Sequence, residues 1–67
     1  MEIRKGDRVR ITTSMYDVVG TVVSATNYKK YWLANAEDNW YIEFIADEGG
    51  FGYWKQGNDG GTIEVLR

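Results

Sequence analysis

The chain contains no cysteine, no histidine and no proline. Without cysteine there is no disulfide, no thiolate metal site and no cysteine nucleophile. Without histidine the commonest general base and the commonest metal ligand are missing. No apolar run approaches the roughly 20 residues that a membrane helix needs, and the first residues contain no apolar signal-peptide segment. The expectation is a cytoplasmic protein that uses no membrane, metal or cofactor. Asp, Glu, Lys and Tyr can still do acid-base work, but no set of them forms a catalytic constellation, so an enzyme is not expected.

What the chain does have is rings. Aromatic residues make up 15% of the 67 residues. A chain this short forms one domain, here spanning residues 1–67, and buries only about 60% of the surface its unfolded form exposes. Each Phe, Tyr or Trp buries roughly 150–250 Å², which suits a small core that must be efficient. The charged fraction of 27% is that of an ordinary folded domain.

The formal net charge is −2, which opposes strong non-specific binding to nucleic acid. Its distribution is uneven. Residues 1–30 carry six basic residues (Arg4, Lys5, Arg8, Arg10, Lys29, Lys30) against three acidic ones. Residues 31–67 carry two basic residues against seven acidic ones. Surface charge mostly serves solvation; a bipolar surface that steers a charged partner is the sharper reading.

Period-2 alternation recurs along the chain. Arg8-Val9-Arg10-Ile11 reads as a strand with Val9 and Ile11 inward, entered through a Gly6-Asp7 turn. Residues 12–17 read as a loop. Residues 18–25 are rich in β-branched side chains and form a second strand, in which Gly20 predicts a bulge or bend. Residues 28–39 lack a clear cap and a full amphipathic period, and are expected to form a long loop. Trp40-Tyr41-Ile42-Glu43-Phe44-Ile45 is the strongest strand, with Trp40, Ile42 and Phe44 on its buried face. Asp47-Glu48-Gly49-Gly50 makes a hairpin loop into a returning strand over 51–56. The glycine-rich 57–61 segment suits a tight helical turn or loop, and Thr62-Ile63-Glu64-Val65-Leu66 a last strand with Ile63 and Val65 inward. Five short strands in so small a chain predict an all-β barrel, closed or nearly closed.

Gly6-Asp7-Arg8-Val9-Arg10-Ile11, Gly20-Thr21-Val22-Val23 and the closing Gly60-Gly61-Thr62-Ile63-Glu64-Val65-Leu66 together resemble the Src-homology-3-like (SH3-like) small β-barrels, particularly their KOW-type group. The likeness is one of strand order and spacing over most of the chain. It implies a five-stranded SH3-like barrel that binds nucleic acid, a ribosomal component or a protein, and carries out no chemistry. The chain differs from nucleic-acid-binding members in its acidic balance. It also lacks the acidic loop, paired tryptophans and strand-end proline of proline-recognising members. Its size, Trp-Tyr strand and Tyr53-Trp54-Lys55 segment are also similar to small proteins of bacterial phages and mobile elements.

Ten rings are more than one small core can enclose. Alternation assigns Trp40, Phe44 and one of Tyr53 and Trp54 to the interior, and leaves open which of that pair is buried. The remaining outward rings can simply stabilise the sheet as cross-strand pairs. Interfaces, however, prefer Tyr and Trp as anchors. The expected partner-binding residues are therefore Tyr28, Tyr31 and Trp32 on the loop, Tyr41 and Trp54 on the sheet face, and Lys29 and Lys30 at the rim. The expected partner is a protein or peptide. The alternative is a nucleic acid, with the rings of Tyr28-Lys29-Lys30-Tyr31-Trp32 stacking on bases and the basic N-terminal half meeting phosphates.

The acidic residues lack the spacing of a calcium loop, and the glycines are not followed by the Lys-Ser/Thr of a phosphate-binding loop. Asp47, Glu48 and Asp59 read as turn-forming, solubilising residues. Glu43 and Lys55 are placed to pair across strands.

Overall fold

The alternation of Trp40-Tyr41-Ile42-Glu43-Phe44-Ile45 decides which face of the sheet is its interior. A computed structural model describes all residues, Met1–Arg67. Trp40, Ile42 and Phe44 are buried, Tyr41 and Glu43 are half-buried and Ile45 is exposed. The elements are β1 (Arg8–Thr12), β2 (Asp17–Asn27), β3 (Trp40–Ala46), β4 (Phe51–Lys55), a single helical turn α1 (Gln56–Asp59) and β5 (Thr62–Leu66). They form one five-stranded sheet in the order β4-β3-β2-β1-β5, with every neighbouring pair antiparallel. The domain is all-β, as its strand patterning predicts.

The 11-residue β2 organises this sheet. Its first half pairs with β1, from Thr12↔Asp17 to Arg8↔Thr21, and it pairs with β3 from Gly20 to Asn27. The register shifts between Val22 and Ser24. An extra residue on one strand bends it and raises the local twist, so β2 turns from one partner to the other and the sheet rolls around its apolar face. The bulge therefore sits at Val23 rather than at Gly20. Gly20 answers a different need: a Cβ there would lie 2.5 Å from the Ile45 carbonyl oxygen. The backbones of β2 and β3 approach too closely at that point for any side chain.

Rolling gathers one core. Ile3, Val9, Ile11, Val22, Trp40, Ile42, Phe44 and Trp54 are buried together, and Ile63 and Val65 of β5 pack against them. The β4 register places Trp54 opposite Ile42 and Tyr53 opposite Glu43. Residues directly opposite in a sheet share a face, so Trp54 points into the core and Tyr53 points out. The expectation of an exposed Trp54 is thus corrected, as it is only 1% exposed. Its indole N–H donates to the Gly60 carbonyl at 2.8 Å, which satisfies a buried donor and ties the segment after α1 to β4.

Strands β4 and β5 occupy the two edges and share no ladder, so the roll is not closed by backbone bonds. Residues 28–39 contain neither helix nor strand. The base of this loop is held by Tyr28 N–H to the Asn39 carbonyl at 2.9 Å. Asn27 reinforces it, its Oδ1 accepting from the backbone N–H groups of Lys29 and Asn39.

Candidate binding surfaces

Three of the expected anchors lie on the long loop, and all three are in water: Tyr28, Tyr31 and Trp32, the last two 74% and 79% exposed. Backbone bonds from Leu33 N–H to the Lys30 carbonyl and from Ala36 N–H to the Leu33 carbonyl fold the loop into consecutive turns. The Lys29 ammonium sits 5.9 Å from the centre of the Tyr31 ring, within the range of a cation–π contact.

On the sheet, Tyr41 and Tyr53 face outward from adjacent strands and stack, with centroids 6.1 Å apart and planes inclined by 12°. Lys55 sits opposite Tyr41 in the ladder, and its ammonium lies 4.8 Å from the centre of the Tyr28 ring. The expected Glu43–Lys55 ion pair is absent. Its cause is the register, which puts Glu43 opposite Tyr53 and leaves Lys55 to the loop. Desolvation, followed by the neighbouring Glu43, Tyr53, Tyr28 and Asp59, pushes the Tyr41 hydroxyl above the ordinary tyrosine value. Tyr28, Tyr41, Tyr53 and Lys55 thus form one aromatic–cationic patch that joins the loop to the sheet face. Tyr53 takes the place that the sequence reading assigned to Trp54. Parity counted forward from Trp40 places position 54 on the buried face once the 47–50 turn aligns β4 with β3 in this register.

Among the basic side chains of the first half, only Arg8 pairs with the acidic half; Arg10 and Arg4 pair within residues 1–30. Arg8 donates from both terminal nitrogens to Asp47, each at 2.5 Å. Arg10 holds Asp17 through Nε at 2.9 Å and Nη2 at 2.5 Å. Arg4 lies 3.6 Å from Glu2. The guanidinium bonds hold the Asp47 and Asp17 carboxyls below the usual range. Of the six basic side chains in residues 1–30, Arg8 and Arg10 are committed to forked bonds and Arg4 lies beside Glu2, leaving Lys5, Lys29 and Lys30 without an ion-pair partner.

A second surface was not anticipated. An open groove of about 490 Å³ runs between β4 and the start of β2. Phe51 and Tyr53 form one wall, Tyr16, Asp17 and Val18 the other, and the Phe44 ring lies in its floor. Glycine at position 52 makes that floor accessible, because a Cβ there would meet Phe44 Cζ at 2.7 Å. No helix is long and apolar enough to cross a membrane, and no three Asp or Glu side chains gather where they could hold a metal ion. Comparison with known protein families, with curated proteins and with solved structures finds no match to this chain.

Proposed function

We propose that this domain is an SH3-like binding module that captures a protein or peptide partner through exposed aromatic side chains and performs no chemistry. Tyr28, Tyr31 and Trp32 are its loop anchors, Tyr41 is its sheet-face platform with Tyr53 beside it, and Lys29 and Lys30 form its charged rim. The SH3-like reading rests on five antiparallel strands in the order β4-β3-β2-β1-β5. The binding reading rests above all on the exposure of Tyr31 and Trp32 on the loop, with the stacked Tyr41–Tyr53 pair on the sheet joined to the same loop at Tyr28 through Lys55. Contiguous apolar surface left in water marks interaction sites, and rings of this kind are the usual anchors of an interface.

Selection from a random-peptide display library tests the proposal. Peptides retained by the parent protein should be lost by a variant combining Tyr31→Ala and Trp32→Ala, with the melting temperature unchanged. Each central anchor typically contributes 2 kcal/mol or more, about thirtyfold in affinity. Selected peptides that bind the double variant equally well would refute it.

The nucleic-acid reading draws on the lysine ammoniums placed over Tyr31 and Tyr28, a combination of charge and ring that suits single strands. Fluorescence anisotropy with single-stranded and duplex oligonucleotides separates the two. Binding that falls steeply with salt, and that depends more on Lys29 and Lys30 than on Tyr31 and Trp32, would replace the peptide reading.

A further inference from the structure

The groove beside β4 has a feature that the loop surface lacks: an unpaired strand edge. In an antiparallel ladder both main-chain polar groups of alternate residues point to the same side. Gly50 accepts from Ala46 N–H at 3.0 Å, so the even positions of this segment face β3. Lys55 N–H points the other way and donates to the Asp59 carboxylate at 2.8 Å. The main-chain groups of Phe51 and Tyr53 therefore point away from β3. No strand lies beyond β4, and neither residue makes a backbone bond outside the ladder. Such an edge is a template for a further strand.

The edge is also charged in one sense. Glu48 lines the groove with no lysine or arginine among the lining residues, while the Asp17 carboxylate on the opposite wall is already held by Arg10. Asp59 joins Tyr16 and Tyr53 around the hollow at its end. Lys55, the nearest cation on β4, is turned towards Tyr28.

We infer that the β4 edge is a second binding site, which takes an extended, cationic segment of a partner protein as a sixth strand. The segment bonds to the main-chain groups of Phe51 and Tyr53. Its small apolar side chains lie over the Phe44 ring, where Gly52 leaves room. Its lysines or arginines meet Glu48 and Asp59, neither of which has an ion-pair partner. Main-chain bonds supply affinity and alternate side chains supply selectivity in this mode of recognition. A second copy of the chain fits the edge less well, because it would bring the same carboxylates into the groove.

The site shares Tyr53 with the sheet-face platform but none of the loop anchors, so a test that varies the loop alone distinguishes the two readings. The probe is a fluorescein-labelled Lys-Val-Lys-Val-Lys-Val peptide added to the intact protein, followed by anisotropy and by amide NMR. Saturable binding is expected, with the Phe51 and Tyr53 amides protected from exchange. Glu48→Lys, at an exposed turn position, should weaken binding about fivefold. N-methylation of alternate peptide amides, which removes the pairing donors without touching the protein, should abolish it. The variant combining Tyr31→Ala and Trp32→Ala should bind the probe as the parent does. The inference is overturned if the probe does not bind, or if the N-methylated or Glu-Val-Glu-Val-Glu-Val peptide binds equally well. Amide shifts confined to residues 28–33 would overturn it too. So would a concentration-dependent dimer that protects Phe51 and Tyr53 without peptide.

Discussion

Arg8 and Asp47, 39 positions apart in sequence, meet through two parallel bonds on the outer face of the sheet. The guanidinium of β1 reaches over β2, donates to Thr21 Oγ1 at 3.0 Å on the way, and grips the residue that follows β3. One side chain thereby ties three strands. The forked geometry adds directional fit beyond simple charge attraction.

This pair makes stability depend on acidity in a definite direction. Hydrogen bonds from Arg8, Arg10 and Asn27 hold the carboxyls of Asp47, Asp17 and Asp38, respectively, below the ordinary value of 3.8. In the window just below that value the unfolded chain binds more protons than the folded one, so stability rises with pH. The contribution is complete well above pH 3.8 and is lost as pH falls through it to the lowered folded values. Thermal melts taken from about pH 6 down to about pH 2 should show a falling melting temperature. Asp47→Asn should melt lower near neutrality and show a shallower decline.

Trp54 and Tyr53 are neighbours with opposite duties. Trp54→Ala should destabilise the domain by about 3–5 kcal/mol, the usual loss for a buried aromatic. That is most of what a marginal small domain possesses, so the variant should be largely unfolded at room temperature. Tyr53→Ala removes one cross-strand stack and should cost about 1 kcal/mol or less. Urea titrations measure both. Equal midpoints for the two variants would contradict the assignment of faces.

The stacked pair can be isolated from its surroundings. A double-mutant cycle over Tyr41→Ala and Tyr53→Ala should give a coupling of about 0.5–1 kcal/mol, within the range for cross-strand aromatic pairs. A coupling of zero would mean that the two rings stabilise the sheet separately.

Gly20 tests the close approach of β2 and β3. The obstacle to a Cβ there is the Ile45 carbonyl, which is backbone and cannot rotate aside. Gly20→Ala should therefore cost at least the roughly 1–3 kcal/mol of an overpacked site. Because Val22 follows closely on the same face, the variant should also lose amide protection in the β2–β3 ladder, which hydrogen exchange would detect.

Local patterning carries this chain a long way. Alternation over 40–45 is enough to put Trp40, Ile42 and Phe44 inside, because side chains on a strand can only alternate. The same argument finds β1 and β5, with Val9, Ile11, Ile63 and Val65 inward. Absence of a cap and of helical periodicity is enough to make 28–39 a loop, and the count of rings is enough to leave several outside the core. Tertiary structure decided the rest, and each case turned on register. Whether Tyr53 or Trp54 is buried depends on how the 47–50 turn aligns β4 with β3, and a one-residue slip exchanges every side chain between faces. The bulge moved from Gly20 to Val23 because Gly20 is needed for a backbone contact that a single strand does not reveal. Arg8 pairs with Asp47 of the acidic half because only β2 separates β1 from the strand that leads to Asp47. The free edge of β4 and the groove beside it arise only when the order of strands is known, since a residue's unpaired backbone is a property of its neighbours and not of its side chain.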